Sequence, residues 1–235
     1  MNYEQWLEFA GREERVLGVV VTGSRGRGAL VHDASDWDLR VVVRDGDEAF
    51  ADTLDTPHGS EVEVSAATLD DFRSAMPEWD RYSYAHAAVP VDKLDGEIAR
   101  LAAEKGRLGD EEAKQVAQEA LAAYTNALYR SLRDTDRGLD LAARLDAADA
   151  VSALLTAIFA LERRVRPFNK YLQWELETHP LAWDASELAA LVADALDGAA
   201  AAQRVLFNTV EPHIRTHGFD AVIDDWHPHV GFFRG

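Results

Sequence analysis

The stretch VVVTGSRGRGALVHDASDWDLRVVV, residues 19–43, decides how this 235-residue chain reads. A β-branched run over residues 16–22 predicts a strand buried on both faces. A Gly-rich turn follows, with Gly23-Ser24 at its start and Gly28 further on. Glycines let backbone N–H groups approach an anion closely, and Ser24 is placed to cap a short helix over residues 24–30. A second strand, 36–43, opens on Asp36-Trp37-Asp38. Alternate strand residues share a face. Asp36, Asp38 and Arg40 therefore fall on one side, and Trp37, Leu39, Val41 and Val43 on the other. Neighbouring carboxylates repel unless a cation lies between them, and hard divalent ions such as Mg²⁺ prefer such oxygen ligands. A phosphate-tolerant turn beside an acidic pair predicts chemistry on a nucleoside triphosphate.

Outward from this stretch, the pattern predicts a helix over residues 2–15 and a turn-rich segment over 44–59. Residues 61–67 alternate like a strand, with Glu61, Glu63 and Ser65 on one face. A short helix capped by Thr68 follows, then a fourth strand over 82–91 and a helix over 97–108. Past Gly109 the strand patterns stop and alanine and leucine dominate. Long helices are expected over 110–134, 139–166 and 185–211, with a short aromatic one over 169–177. The expected class is α+β: a mixed sheet of four to five strands with flanking helices over residues 1–108, and a helical bundle over 109–235.

Composition narrows the partners. A hydrophobic share of 47% is ordinary for a globular chain, and no apolar run is long enough to span a membrane. The acidic, amphipathic opening does not read as a signal peptide. Cysteine is absent, which removes disulfides and thiolate metal sites. A cytoplasmic location is expected. The net charge of −18 opposes binding of duplex nucleic acid, which needs a basic surface, and favours a cationic small substrate. The same charge also serves solubility. Lysine is scarce, so Lys170 within an aromatic segment stands out as a point charge suited to triphosphate. A stem lying along apolar surface accounts for it equally well.

Gly23-Ser24, Gly28 and Asp36-Trp37-Asp38 opening a hydrophobic strand resemble the signature of the nucleotidyltransferase superfamily named for DNA polymerase beta. Thr22 stands where many members carry a further glycine. The likeness covers residues 16–67 well and 82–108 loosely, and the helical half resembles small-molecule and antibiotic nucleotidyltransferases in layout only. The resemblance implies a third carboxylate on the next strand, Glu63 or its neighbour Glu61. It implies two Mg²⁺ ions held by Asp36, Asp38 and Glu63, with ATP as co-substrate. Gly23, Ser24 and Arg27 would hold the phosphates with Lys170, and Glu61 is a candidate base. Arg25 and Arg27 read equally well as solvated charges. The expected reaction moves AMP onto a hydroxyl of a small molecule, with an aminoglycoside-like acceptor fitting the acidic charge and the helical half lining the acceptor site. Adenylylation of a protein partner of the toxin–antitoxin type, and nucleotide binding without turnover, are the alternatives. A monomer or homodimer is expected.

Overall fold

The computed structural model describes residues 1–235 as two compact units, Met1–Arg107 and Leu108–Gly235. The first unit runs α1 (Tyr3–Arg12), β1 (Val16–Thr22), α2 (Gly23–Arg27), β2 (Trp37–Val43), α3 (Glu48–Leu54), β3 (Val62–Thr68), α4 (Leu69–Arg73), α5 (Arg81–Tyr84), β4 (Ala88–Asp92) and α6 (Glu97–Lys105). The sheet order is β3-β2-β1-β4. β1 is antiparallel to β2 and β4, and β2 is parallel to β3. The sheet is thus mixed, as expected, with four strands.

Period-two alternation builds both layers of core. Val19, Val21, Leu39, Val41 and Val64 pack with Trp6 and Ala10 of α1 and Ala51 and Leu54 of α3. On the other face Val20 and Val42 meet Leu69, Phe72, Tyr84 and Ile98. Trp37 stacks on Tyr3 with ring centroids 3.6 Å apart. Asn2 and Gln5 form a capping box at the start of α1, and the Thr68 hydroxyl accepts the Asp71 N–H at the start of α4.

Three local expectations are corrected. The 44–59 segment holds a helix, α3, because parallel pairing of β2 with β3 requires a crossover. In place of a strand over 82–91, β4 spans only Ala88–Asp92. Tyr82 and Tyr84 sit in a helical turn, and the carbonyls of Tyr82 and Ala85 accept from Arg27 rather than from a ladder. Ser24 is not the cap of α2. Thr22 occupies that position without a side-chain capping bond to the helix, and Gly28 in the left-handed region ends the helix after one turn.

The second unit contains α7 (Asp110–Asp136), α8 (Asp140–Leu161), α9 (Leu172–Thr178), α10 (Leu188–Leu196), α11 (Ala200–Thr216), α12 (Asp220–Asp224) and α13 (Val230–Arg234). Leu128, Leu132, Leu154, Ile158, Phe207 and Val210 are among its core residues. α7 and α8 come close enough for the Ser131 hydroxyl to donate to the Ala143 carbonyl at 2.7 Å, and the small residues Ala143, Ala147 and Ala150 are buried. The expected long helix over 185–211 is two, because Gly198 turns the chain at φ +80°. No helix is long and apolar enough to cross a membrane.

Candidate functional site

Strand register assembles the acidic site. In the parallel β2/β3 pair Asp38 lies beside Glu63, and Trp37 beside Val62. Trp37 and Val62 join the core side, so alternation sends Asp36, Asp38 and Glu63 to the opposite face. Ligand oxygens of these three side chains lie within 4.8 Å of one another, and Asp38 and Glu63 are half-buried. Glu61 is not among them. It precedes β3, exposed, and contributes its carbonyl to the Trp37 N–H at 3.0 Å.

The glycine turn is shaped around Asp38. Gly23 has φ +65°, and a Cβ there would stand 2.0 Å from Asp38 Oδ2. Only a residue without a side chain lets the turn and this carboxylate come together. Thr22 pairs with Asp38 in the β1/β2 register. Gly26, which the sequence did not single out, is equally constrained, because a Cβ would lie 2.1 Å from the Val21 carbonyl oxygen. Ser24 sits half-buried in the single turn of α2.

Each basic residue expected at the phosphates has contacts within its own unit. Arg25 donates its Nε to the Ser35 carbonyl at 2.8 Å and lies over the Trp37 ring. Arg27 donates Nη2 to the Tyr82 carbonyl at 2.8 Å and covers the Tyr82 ring. Its Nε and Nη1 are buried. Arg27 therefore ties α2 to the start of α5 instead of presenting its guanidinium outward. Lys170 belongs to the helical unit, where it is exposed with Nζ 4.9 Å from the centre of the Tyr171 ring.

Sequence reasoning missed two contacts of Glu63. The Gly59 N–H donates to Oε1 at 2.5 Å. His58 Nδ1 lies 3.0 Å from Oε2 and 2.9 Å from Oε1. The Gly59 N–H, followed by the His58 imidazole, holds the Glu63 carboxyl below its usual range. The hydrogen bond to Glu63, reinforced by the charges of Glu63, Asp36 and Asp38, pushes His58 up. In the sequence Pro57 and Gly59 signal a turn, and nothing marks its reach back to Glu63. Arg40, on the acidic face by alternation, adds positive potential at Glu63 and lies 4.0 Å from Asp80.

No protein-family model matches the chain, and no curated protein matches it. The solved structures it resembles include a nucleotidyltransferase-like protein from Exiguobacterium sibiricum 255-15. That protein is 13% identical, with a TM-score of 0.41, the match covering 94% of this chain and 78% of that one. The chemistry of the site rests on its own geometry.

That geometry fits a divalent cation. The donor set is oxygen only, which suits Mg²⁺. Strand register sets Asp38 beside Glu63, Asp36 immediately precedes β2, and a bare glycine Cα leaves room for the Asp38 carboxylate. An arrangement of this kind can gather Mg²⁺ against a bound polyphosphate.

Proposed function

We propose that the chain is a Mg²⁺-dependent nucleotidyltransferase that moves AMP from ATP to a hydroxyl of a small molecule. The observation that carries this reading is the convergence of Asp36, Asp38 and Glu63 within 4.8 Å, against a glycine turn with no room for a side chain. Asp36, Asp38 and Glu63 would hold Mg²⁺, which supplies Lewis-acid stabilisation of the charge that develops on phosphoryl and leaving oxygens.

The residues of the chain supply the rest. α2 is one turn long, so its macrodipole is slight, and its contribution is backbone N–H groups without helical partners. Gly23 and Ser24 would direct these to the β- and γ-phosphates. Arg27 keeps this turn in place through the Tyr82 carbonyl. In the transfer the acceptor oxygen bonds to the α-phosphorus, the bond from that phosphorus to the bridging oxygen breaks, and pyrophosphate leaves. The hydroxyl proton passes to a carboxylate of the site. The net charge of −18 draws a cationic acceptor by long-range attraction, which supports the aminoglycoside class as first choice.

The test uses ATP labelled at the α-phosphate with a panel of hydroxylated polycations. Transfer is expected with the wild type. Asp38→Asn should lose about 10³-fold, corresponding to roughly 4 kcal/mol of transition-state stabilisation, with an unfolding midpoint in the metal-free protein no lower than that of the wild type. Retained turnover in Asp38→Asn would refute the proposal.

A further inference from the structure

We infer that His58 is a positioning residue: together with Gly59 it holds the Glu63 carboxylate in the orientation that completes the divalent-cation site with Asp36 and Asp38. This rests on the metal-site reading above and goes beyond it, since neither residue is itself an oxygen ligand side chain. The support begins with the segment over residues 55–60, which is laid along β3. The Thr56 N–H donates to the Val64 carbonyl at 3.0 Å. The Thr56 hydroxyl donates to the Val62 carbonyl at 3.0 Å and accepts the Val64 N–H at 2.7 Å. Asp55 Oδ1 accepts the Ala66 N–H at 2.7 Å, and the Ser60 hydroxyl closes the turn on the Pro57 carbonyl at 2.6 Å. Anchored in this way, the segment delivers two donors to one side chain.

Gly59 adopts φ +84°, a conformation that an L side chain rarely takes, and its N–H reaches Oε1. A carboxylate only accepts, so the His58 nitrogen between the two oxygens carries a proton. An ionised carboxylate offers about four lone-pair positions, and these donors leave positions for a metal. The long Glu side chain is thereby ordered before a cation arrives. A free one would lose rotamer entropy on binding. The His58 side chain is 97% exposed and packs no core, and exposed contacts of this kind add little to stability. Its effect belongs in metal affinity and not in unfolding.

Manganese titration of the full chain, followed by the electron paramagnetic resonance signal of free Mn²⁺, tests this at fixed neutral pH. His58→Ala should raise the Mn²⁺ dissociation constant about 10-fold or more. His58→Asn, which keeps an N–H donor at the Nδ1 position, should restore most of it. Both should unfold at the wild-type midpoint. If His58→Ala binds Mn²⁺ as the wild type does while Asp38→Asn has lost it, the positioning role is overturned and the metal site stands. If the alanine and asparagine variants are equally impaired, the donor role is overturned. If Asp38→Asn binds as tightly as the wild type, there is no such metal site and both readings fall.

Discussion

Glu175 and Glu211 in the helical unit face guanidinium groups, whereas Asp36, Asp38 and Glu63 in the sheet unit face one another. Glu175 is 3% exposed and meets Arg164 Nη2 at 2.6 Å. Glu211 accepts Arg215 Nε on Oε1 and Arg234 Nε on Oε2, each at 2.8 Å, and the Arg234 contact, with help from Arg215, holds its carboxyl below the usual range. A carboxylate removed from water needs a partner charge or hydrogen bonds, and the bundle supplies arginine. The sheet unit places like charges within 4.8 Å, with an exposed imidazole and Arg40 near Glu63. Pairing of the first kind serves the fold. Convergence of the second kind opposes it electrostatically, a cost that a ligand bringing positive charge, as proposed above, would relieve.

This contrast can be tested from both ends. The largest free-energy change is expected from Arg164→Met, which leaves Glu175 buried without its guanidinium. Urea unfolding should report a loss of about 3–5 kcal/mol, with Mn²⁺ affinity of the folded protein unchanged. Loss of metal binding without loss of stability would break the contrast. Gly23→Ala comes next. Its Cβ collides with Asp38 Oδ2 and must displace that carboxylate, so nucleotidyl transfer should fall about 10²-fold, with a smaller loss of stability from the left-handed backbone. Transfer at the wild-type rate would show that the turn does not shape the site.

The smallest effect is a pH dependence in the bundle. Burial, followed by the nearby His217, pushes His213 down to about 4, and its ring stacks on Trp183 with centroids 4.7 Å apart. The unfolded chain takes up the proton near the ordinary histidine value, about 6.5, before the folded one does. Stability is therefore full above that value and declines as pH falls toward 4. Unfolding midpoints of His213→Gln should lack this part of the slope. A slope equal to the wild type would show that His213 is not the group responsible.

Much of the sheet unit was legible because alternation is strict where one face is buried. Trp37, Leu39 and Val41 against Asp36, Asp38 and Arg40 sort correctly from sequence alone, and the pairing of β2 with β3 chooses Glu63 over Glu61 for the acidic cluster. Residues 44–59 concealed α3 because only Ala51 and Leu54 of that short helix are buried, too few for a period to show. The tyrosines at 82 and 84 favour strand by propensity, yet Arg27 claims the Tyr82 carbonyl, a tertiary contact that no local pattern encodes. Alanine-rich sequence on both sides of Gly198 reads as continuous helix, and one residue in the left-handed region divides it. His58 was illegible for a different reason. Its partner lies five residues away across a turn, and neither helix nor strand periodicity connects them.

β3 lies at the rim of the sheet, with no strand beyond it. The bonds from Thr56 and Asp55 therefore occupy backbone groups that would otherwise be open to a strand from another molecule. The segment that orders Glu63 thus also covers part of this rim. Deleting it would be expected to produce aggregates as well as a weakened metal site, so solubility should be monitored alongside activity in any loop-shortened variant.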